Sequence, residues 1–322
     1  MHYLGIDLGG TNIVAGLVDD KYNIIEKSSC KTNVPRSEDE ICDDMVKLII
    51  ETLERENLTM DDIPWVGIGA PGSANVERGV IEYSANLYIH NWHLTDMMEK
   101  RLKKKVIIEN DANAAAFGEY LAGSGKGART FVAVTLGTGI GGGIIIDGNI
   151  YRGSNYNGAE IGHMVIEHNG KQCSCGRKGC WETYASATGL KNLTKDILIN
   201  YNKNSDTVIW DIIGGNLKNV NGRTAYLAMD RGDKIGKKIV DLYVSYLSCG
   251  LVNIINIFQP DVLCIGGGIS REGERLLSPI RDYVSRERYS KNSEKQTELC
   301  IAELGNDAGV LGAAMLGLTV EH

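Results

Sequence analysis

A cluster of metal-binding side chains in the middle of the chain carries the clearest chemical signal of the sequence. His163, Cys173, Cys175 and Cys180 lie at H-x9-C-x-C-x4-C spacing. Three thiolates and an imidazole are the ligands of a closed tetrahedral zinc site, which has no open position for a catalytic water. The pattern therefore predicts a structural zinc loop whose cysteines take no part in chemistry.

Two carboxylates lie just outside this ligand set. Glu160 precedes the histidine, and Glu182 follows the last cysteine. The zinc loop can therefore direct both side chains toward the hydroxyl groups of a substrate. His163 can act in both roles, because one ring nitrogen can bind the metal while the other contacts the substrate.

Two glycine turns lie 128 positions apart and resemble each other. YLGIDLGGT starts at Tyr3 and FVAVTLGTG starts at Phe131, and each passes from an apolar run through a small-residue turn into a second apolar run. A glycine turn between two β runs predicts a hairpin. Two such hairpins, each beginning its own α/β unit, predict a duplicated domain with a ligand cleft between the halves.

The backbone of these turns is suited to binding phosphate. Where no side chain intervenes, N–H groups can approach phosphate oxygens, and the hydroxyls of Thr11 and Thr138 add donors. For one turn alone, a tight hairpin without a ligand explains the pattern at about even odds. The duplication favours phosphate binding. A third glycine run, Gly266–Gly268, follows a strand and can face a nucleoside.

Other nucleotide-binding motifs do not fit the chain. No G-x-x-x-x-G-K-[ST] sequence is present, which excludes a Walker A loop. The GTGIGGG run at 137–143 leads into a strand instead of a helix, so it matches a dinucleotide fingerprint only weakly. This argues against a nicotinamide-dependent oxidoreductase.

A carboxylate follows the short apolar run at 106–108 and begins the next helix. The segment is Glu109-Asn110-Asp111, and α/β sheets bind ligands at the carboxyl ends of their strands. Asp111 can therefore accept a proton from a substrate hydroxyl during phosphoryl transfer. The alternative, at roughly even odds for an isolated aspartate in this position, is a helix N-cap.

The elements that would hold these residues follow an α/β pattern. Ser37 and Glu40 form a capping box, and apolar residues at helical spacing continue to Leu53. Further expected elements are a strand at 63–70, a strand at 106–108, a helix at 112–121, a long helix at 233–258, a strand at 262–265 and a helix at 307–318.

Composition and charge limit the class of protein. The 322 residues suffice for two domains, and a net charge of −7 argues against a nucleic-acid-coating protein. No apolar run approaches the ~20 residues that cross a membrane. Five of the eight cysteines are scattered outside the zinc loop, a usage typical of free thiols in a reducing compartment. We therefore expect a cytoplasmic protein without a nucleic-acid or membrane partner.

Taken together, the motifs resemble the ROK family, which groups bacterial sugar kinases with related repressors. The resemblance runs the full chain, and its cysteine signature is the most specific part. The motifs are DLGGTN at 7–12, GAPG at 69–72, ENDANAAAFGE at 109–119, LGTGIGGG at 136–143, EIGH at 160–163, CSCGRKGCWE at 173–182 and GNDAGVLGAA at 305–314.

The resemblance implies an actin-like ATPase fold (ribonuclease H-like), with two α/β domains and a cleft between them. Residues 1–115 with 304–322 would form the smaller N-terminal domain, and residues 116–303 the larger domain with the zinc loop. ATP, Mg²⁺ and a structural Zn²⁺ are the implied cofactors. Asp111 would be the catalytic base on the sugar 6-hydroxyl, and Asp7 would orient water on Mg²⁺.

The remaining site residues are implied by the same resemblance. The sugar would be bound by Asn86, Asn110, Glu160, His163 and Glu182. The ATP phosphates would be held by Gly9, Gly10, Thr11, Asn12, Gly137, Thr138 and Gly139, and the adenosine by Gly267 and Gly268. The zinc ligands would be His163, Cys173, Cys175 and Cys180.

One loop departs from the family pattern. Members carry an asparagine shortly before a tryptophan, and here Asn86-Leu-Tyr-Ile-His-Asn-Trp92 is longer. Either Asn86 or Asn91 can take the sugar-contacting role.

The expected activity is ATP-dependent phosphorylation of a hexose at its 6-hydroxyl, with glucose as the expected acceptor. The alternatives are a fructokinase, an allose kinase, an N-acetylmannosamine kinase or a non-catalytic sugar-responsive regulator. The repressors carry a helix-turn-helix segment before DLGGT, and this chain reaches that motif at residue 7, so an enzyme is expected. A homodimer or homotetramer is expected.

Overall fold

The computed structural model describes residues 1–199 and 207–319. The chain divides into two compact units. Unit 1 comprises Met1–Ala133, Gly143–Ala159 and Glu303–His322, and unit 2 comprises Val134–Gly142 and Glu160–Ala302. The domain limits predicted from the sequence, 1–115 with 304–322 and 116–303, stay a prediction.

The described chain contains both strands and helices throughout its length. The strands are β1 (His2–Leu8), β2 (Asn12–Asp19), β3 (Ile24–Lys31), β4 (Val66–Ala70), β5 (Ser73–Asn75), β6 (Val80–Ser84), β7 (Ile89–Trp92), β8 (Val106–Asn110), β9 (Thr130–Leu136), β10 (Ile140–Ile146), β11 (Asn149–Ile150), β12 (Val262–Gly267) and β13 (Glu298–Ile301). The α-helices are α1 (Glu38–Arg55), α2 (Leu94–Leu102), α3 (Asp111–Ala122), α4 (Glu182–Ala185), α5 (Ala187–Ile199), α6 (Ile209–Ile212), α7 (Thr224–Asp230), α8 (Lys234–Phe258), α9 (Glu274–Glu287) and α10 (Ala308–Ala314).

Two five-stranded sheets share one strand order. The first runs β3-β2-β1-β4-β8 and the second β11-β10-β9-β12-β13. In the first sheet β1 pairs antiparallel with β2 and parallel with β4, and in the second β12 pairs parallel with β13. Each sheet thus places a hairpin beside parallel strands, which confirms the duplication predicted from the two glycine turns.

Helix α1 begins where the sequence predicts. Ser37 is its N-cap, and the side chains of Ser37 and Glu40 each accept a hydrogen bond from the other residue's backbone. The predicted apolar face is buried, as shown by the complete burial of Ile41, Met45 and Ile49. These residues pack with the apolar side chains of β1 and β4 in the core of unit 1.

The C-terminal helix is shorter than the sequence pattern predicts. Helix α10 ends at Ala314, and a 3-10 turn follows at Leu316–Thr319. The helix packs on α3 and on β1. The indole N–H of Trp65 donates to the carbonyl oxygen of Ala314 at 2.8 Å and holds this end of α10 within unit 1.

Helix α8 is the long core helix of unit 2, as predicted. Asp233 caps it by accepting hydrogen bonds from the backbone N–H groups of Ile235 and Gly236. Its most apolar stretch has a mean hydropathy of 1.4, which by length and composition would allow a membrane crossing, but 61% of that stretch is buried within the structure. The hydroxyl of Tyr243 donates to the carbonyl oxygen of Ala185, so one face of α8 packs against the end of α4.

Candidate functional site

Two aspartates lie at the carboxyl ends of strands in the first sheet. Asp7 in β1 is opposite Gly69 in β4, and Gly69 is opposite Glu109 in β8. Asp111 begins α3 directly after β8. Because parallel strands end at one edge of a sheet, residues far apart in the sequence meet there. Both aspartate side chains are partly buried.

Asn110, and not Asp111, is the N-cap of α3. The side-chain oxygen of Asn110 accepts hydrogen bonds from the backbone N–H groups of Ala112 and Asn113, at 2.9 and 3.1 Å. The side-chain amide of Asn110 donates to the carbonyl oxygen of Gly72 at 3.1 Å. The N-cap explanation for the aspartate is therefore wrong, and Asp111 is the first residue of the helix.

Burial alters the acidity of both aspartates. The pKa of Asp7 is raised from 3.8 to about 6, mainly by desolvation and secondly by the charge of Asp111. Desolvation also raises the pKa of Asp111, against the lowering effect of hydrogen bonds from its own segment. A carboxylate with a raised pKa binds a proton more readily, which is the property required of a general base.

The carboxylate of Asp7 lies against a helix that carries no side chain at the point of contact. A Cβ atom added to Gly309 in α10 would lie 2.8 Å from Oδ2 of Asp7. Any larger residue at position 309 would displace the aspartate. The glycine that ends the GNDAG sequence at 305–309 is thus required for steric reasons, which the sequence motif alone does not reveal.

The first glycine turn leaves donors free. Gly9 donates its N–H to the carbonyl oxygen of Asn12 at 2.9 Å, which closes the turn between β1 and β2. Thr32, directly after β3, donates its hydroxyl to the carbonyl oxygen of Gly9 at 2.6 Å and supports the turn. Within the described residues, the N–H groups of Gly10 and Thr11 have no backbone acceptor, so they remain available to an anion.

Of the two asparagines proposed for the long loop, only Asn86 lies beside the glycine turn. A Cβ atom added to Gly10 would lie 3.1 Å from the carbonyl oxygen of Asn86. Asn91 is an exposed residue of β7, and its side-chain amide is 3.5 Å from a ring nitrogen of His93. The geometry within unit 1 therefore favours Asn86 for a role near the first turn.

In unit 2 the four predicted metal ligands converge. Their ligand atoms lie within 4.8 Å of one another. The sulfurs of Cys175 and Cys180 are 3.6 Å apart, and the sulfur of Cys173 is 3.7 Å from Nδ1 of His163. Ligands at the corners of a zinc tetrahedron with 2.3 Å bonds are about 3.8 Å apart. The donor set and its spacing thus fit a tetrahedral metal ion.

Two tight turns bring the cysteines together. Gly176 and Gly179 have φ angles of +90° and +83°, a backbone conformation that favours glycine. Cys173 donates its N–H to the carbonyl oxygen of Arg177 at 2.8 Å, which closes the loop around the first turn. The two glycines thus reverse the chain sharply between the second and third thiol.

The zinc loop is fixed to the core by the tryptophan that follows its last cysteine. Trp181 is fully buried, and its indole N–H donates to the carbonyl oxygen of Tyr246 in α8 at 3.0 Å. The ring lies directly over Gly250. The loop therefore sits on a rigid helix, which limits the movement of the side chains at its ends.

Glu182 lies between the metal ligands and the second glycine turn. Its Oε1 is 3.2 Å from the sulfur of Cys173, and its Oε2 accepts a hydrogen bond from the N–H of Ile140 at 3.4 Å. A Cβ atom added to Gly139 would lie only 2.4 Å from Oε2. The carboxylate thus contacts the turn Gly137-Thr138-Gly139 directly, a contact that the sequence does not predict.

His163 lies between two carboxylates. Its Nδ1 faces Glu182 at 3.8 Å, and its Nε2 faces the exposed Glu160 at 3.9 Å. With Nδ1 directed at Cys173, the other ring nitrogen remains available on the side of Glu160. The double role expected for the histidine stays a prediction.

The third glycine run ends strand β12. Gly267 and Gly268 are both exposed, and a 3-10 turn begins at Gly268. Within unit 2, β12 adjoins β13 on one side. Both glycines thus lie at the carboxyl end of a strand, and their contact with a nucleoside stays a prediction.

Sequence reasoning missed the surroundings of Glu109. This residue is 1% exposed, and its carboxylate forms a 2.6 Å ion pair with Arg152. The sequence does contain a signal for this ion pair, because a glutamate in a buried strand requires a partner for its charge.

The chain is similar to known proteins over nearly its whole length. The ROK family model matches residues 3–320. A glucokinase from Thermotoga maritima is 38% identical over 97% of this chain and 96% of its own length. A xylose repressor from Bacillus subtilis is 31% identical over 99% of this chain and 77% of its own length.

Solved structures agree with the sequence comparison. A ROK family glucokinase from Streptomyces griseus, in complex with glucose and AMPPNP, has a TM-score of 0.80 and 33% identity, with 98% of this chain and 99% of that chain covered. The similarity over nearly the whole length confirms the predicted actin-like ATPase fold.

The raised pKa of Asp7 predicts that this residue lowers stability at neutral pH. The pKa of this carboxyl is 3.8 in the unfolded chain and about 6 in the folded protein. The protonated carboxyl therefore favours the folded state below pH 4, and this stabilisation is lost as the pH rises through 6. We expect Asp7→Asn to raise the free energy of unfolding at pH 8 by about 1–3 kcal/mol. Denaturant unfolding at pH 8 and pH 4 measures the difference, which should disappear at pH 4.

Asp19→Asn is the control of opposite sign. Hydrogen bonds from Asn23 lower the pKa of Asp19, so its carboxylate stabilises the fold at neutral pH and the variant should be less stable than the wild type at pH 8. An Asp7→Asn protein less stable than the wild type at pH 8 would contradict the burial of Asp7 as the cause.

Proposed function

The chain belongs to the ROK family, and from this premise we propose that it is a sugar kinase that transfers the γ-phosphoryl group of ATP to the 6-hydroxyl of a hexose. Glucose is the proposed acceptor, because the Thermotoga maritima relative and the Streptomyces griseus structure are both glucokinases. The observation that carries the proposal is the desolvated Asp111 at the end of β8.

Asp111 is the proposed catalytic base. As the sugar oxygen forms its bond to the γ-phosphorus, the bond to the bridging oxygen of ADP breaks and the hydroxyl proton passes to the carboxylate. Phosphoryl transfer depends chiefly on positioning and charge, and the base assists. The raised pKa of Asp111 favours this proton transfer near neutral pH.

The phosphates are the proposed ligands of the glycine turns. In unit 1 the free N–H groups of Gly10 and Thr11 are suited to phosphate oxygens, with Gly9 and Asn12 closing the turn. In unit 2 the turn of Gly137, Thr138 and Gly139 has the equivalent place in its own hairpin. Gly267 and Gly268 are assigned to the adenosine.

The sugar hydroxyls are assigned to polar side chains. Asn110 and Asn86 would contribute amide groups, and Glu160, Glu182 and His163 carboxylate and imidazole groups. The assignment of Asn86 over Asn91 is supported by its position beside Gly10. Carboxylates and neutral imidazole accept hydrogen bonds from hydroxyl donors, which suits a carbohydrate.

Two metal ions belong to the proposal. Mg²⁺ would accompany ATP and offset the charge of its phosphates, and Asp7 is the carboxylate proposed to orient its water ligands. Zinc would be held by His163, Cys173, Cys175 and Cys180, and its role would be to fix the loop that bears Glu182. Its four protein ligands leave no position for substrate.

A sugar-responsive regulator is the second candidate. The Bacillus subtilis xylose repressor is similar over almost the whole chain, which supports a shared sugar-binding fold. The desolvated Asp111 favours the enzyme, since a protein that only binds sugar does not require a base of raised pKa. A cytoplasmic location and assembly into a homodimer or homotetramer complete the proposal.

A coupled ADP-release assay tests the proposed activity. Purified protein is incubated with ATP and Mg²⁺ and with glucose, fructose, mannose, allose or N-acetylmannosamine in turn. We expect the highest kcat/KM with glucose, although epimers that differ by one or two hydrogen bonds can be separated by only modest factors. Turnover of none of these sugars would reject the kinase, and binding without turnover would favour the regulator.

Substitution of the proposed base separates chemistry from binding. We expect Asp111→Asn to lower kcat by about 10²–10⁴-fold, because general base catalysis contributes on this scale. The dissociation constant for glucose, measured by calorimetry, should change little. Asp96→Asn, a change of a 78% exposed side chain, is the control and should retain full activity. A near-normal rate for Asp111→Asn would reject its role.

The metal assignment is tested by elemental analysis. We expect about one zinc per chain in the wild type and loss of the metal in Cys175→Ser, together with a lower thermal unfolding midpoint. Cys30→Ser, outside the ligand set, is the matched control and should keep its zinc. A fully active and stable preparation without metal would contradict the assignment.

A further inference from the structure

We propose that Glu109 is a positioning residue for Asp111, and that an ion pair with Arg152 holds Glu109 in place. The inference rests on the proposed function, since it assigns to Glu109 the orientation of the proposed base. Glu109 itself is buried in β8 and is not offered as a residue that touches substrate.

Glu109 accepts hydrogen bonds from residues on both sides of Asp111. Its Oε1 accepts from the backbone N–H of Asn110 at 2.9 Å. The same oxygen accepts from the side-chain amide of Asn113 at 3.0 Å. One carboxylate oxygen therefore fixes the residue before the base and the residue two positions after it.

These two asparagines determine where α3 begins. Asn110 caps the helix through its side-chain oxygen, which accepts from the N–H groups of Ala112 and Asn113. Asn113 is 3% exposed, so its side chain has little freedom to move. Because Asp111 lies within this first turn, the direction of its side chain follows the position of the cap.

The second oxygen of Glu109 pairs with Arg152. Oε2 accepts from Nε of Arg152 at 2.6 Å, and the guanidinium donates also to the hydroxyl of Thr319 at 3.2 Å. The two charged side chains are 21% and 2% exposed. A buried carboxylate without a cation would be strongly unfavourable, and Arg152 supplies that cation to Glu109.

A charged group is required because three donors converge on Glu109. An amide in its place offers one oxygen and two donor hydrogens, and those hydrogens would face the Nε–H of Arg152. A carboxylate accepts from all three donors, and bonds to a charged acceptor are the stronger ones. Glu109→Gln would therefore keep the shape of the side chain but lose the fixed position of the network.

Arg152 is itself held by the backbone. Its carbonyl oxygen accepts from the N–H of Gly158 at 2.8 Å, which closes the loop between them. Both residues belong to unit 1, and this loop continues along the chain to Glu160. The ion pair thus fastens the segment that precedes one proposed sugar ligand to the residue that orients the base.

The proposal predicts a defect in catalysis and not in nucleotide binding. A misplacement of a reacting group by about 1 Å can cost 10²-fold in rate. We expect Glu109→Gln to lower kcat about 10–100-fold while the KM for ATP stays within about threefold. Steady-state kinetics of the full-length protein with ATP and the preferred sugar measure both values.

The matched control is Glu119→Gln at the other end of α3. Glu119 is 3% exposed and accepts hydrogen bonds from the backbone N–H groups of Ser124, Glu303 and Leu304. It is a buried carboxylate of α3 that does not contact the N-cap residue Asn110. We expect this variant to lose thermal stability and to keep kcat within about threefold of the wild type.

Several outcomes overturn the proposal. They are an unchanged kcat in Glu109→Gln, an equal loss of kcat in Glu119→Gln, or a defect confined to KM. Should Glu109→Gln fail to fold, Arg152→Lys replaces it, because lysine keeps the positive charge and loses the planar donor group. It should lower kcat about 3–10-fold with the KM for ATP unchanged, and a wild-type kcat would reject the positioning role.

A wild-type protein inactive on every sugar would reject the proposed function, and a second readout then tests Glu109 separately. Crystal structures of the wild type and Glu109→Gln compare the position of the Asp111 carboxylate. We expect a displacement of about 1 Å or more in the variant. An unmoved carboxylate would overturn the positioning role whether or not the protein is a kinase.

Discussion

The partial burial of two neighbouring carboxylates, Asp7 and Asp111, is the main physical constraint on the candidate site of unit 1. The exclusion of water from Asp7 and Asp111 raises the pKa of both carboxyl groups. Each is therefore less stable as an anion than a surface aspartate. The fold holds them at this cost because the parallel strands end together and Gly309 leaves room for Asp7. Stability is thereby given up at the place where a proton acceptor is useful.

A short segment of unit 2 brings four potential metal ligands and a carboxylate together. The three cysteines and His163 could hold a metal ion on a loop anchored by Trp181, while Glu182 extends from the same loop to the turn at Gly139. A metal ion bound there would both stabilise the fold of the loop and hold the carboxylate of Glu182 in place. The ring of His163 faces the sulfur of Cys173 on one side and Glu160 on the other.

Local features were predictable from the sequence because they depend on neighbouring residues. The capping box at Ser37, the metal ligand spacing and the glycine hairpins each follow from a few adjacent side chains. Contacts across the sheet were not predictable. Asp7 meets Asp111, and Glu109 meets Arg152, only because strand order brings distant segments together. The N-cap of α3 is Asn110 and not Asp111, a difference of one residue that sequence periodicity does not resolve.

The dependence of kcat/KM on pH tests the central claim, that a desolvated Asp111 serves as the base, most directly. Sugar phosphorylation by the wild type is measured from pH 4 to pH 9 with ATP and Mg²⁺ at fixed ionic strength. Because burial raises the pKa of Asp111, the account predicts that activity falls on the acid side at a pH above the ordinary range of an exposed aspartate. Full activity down to pH 4 would contradict it.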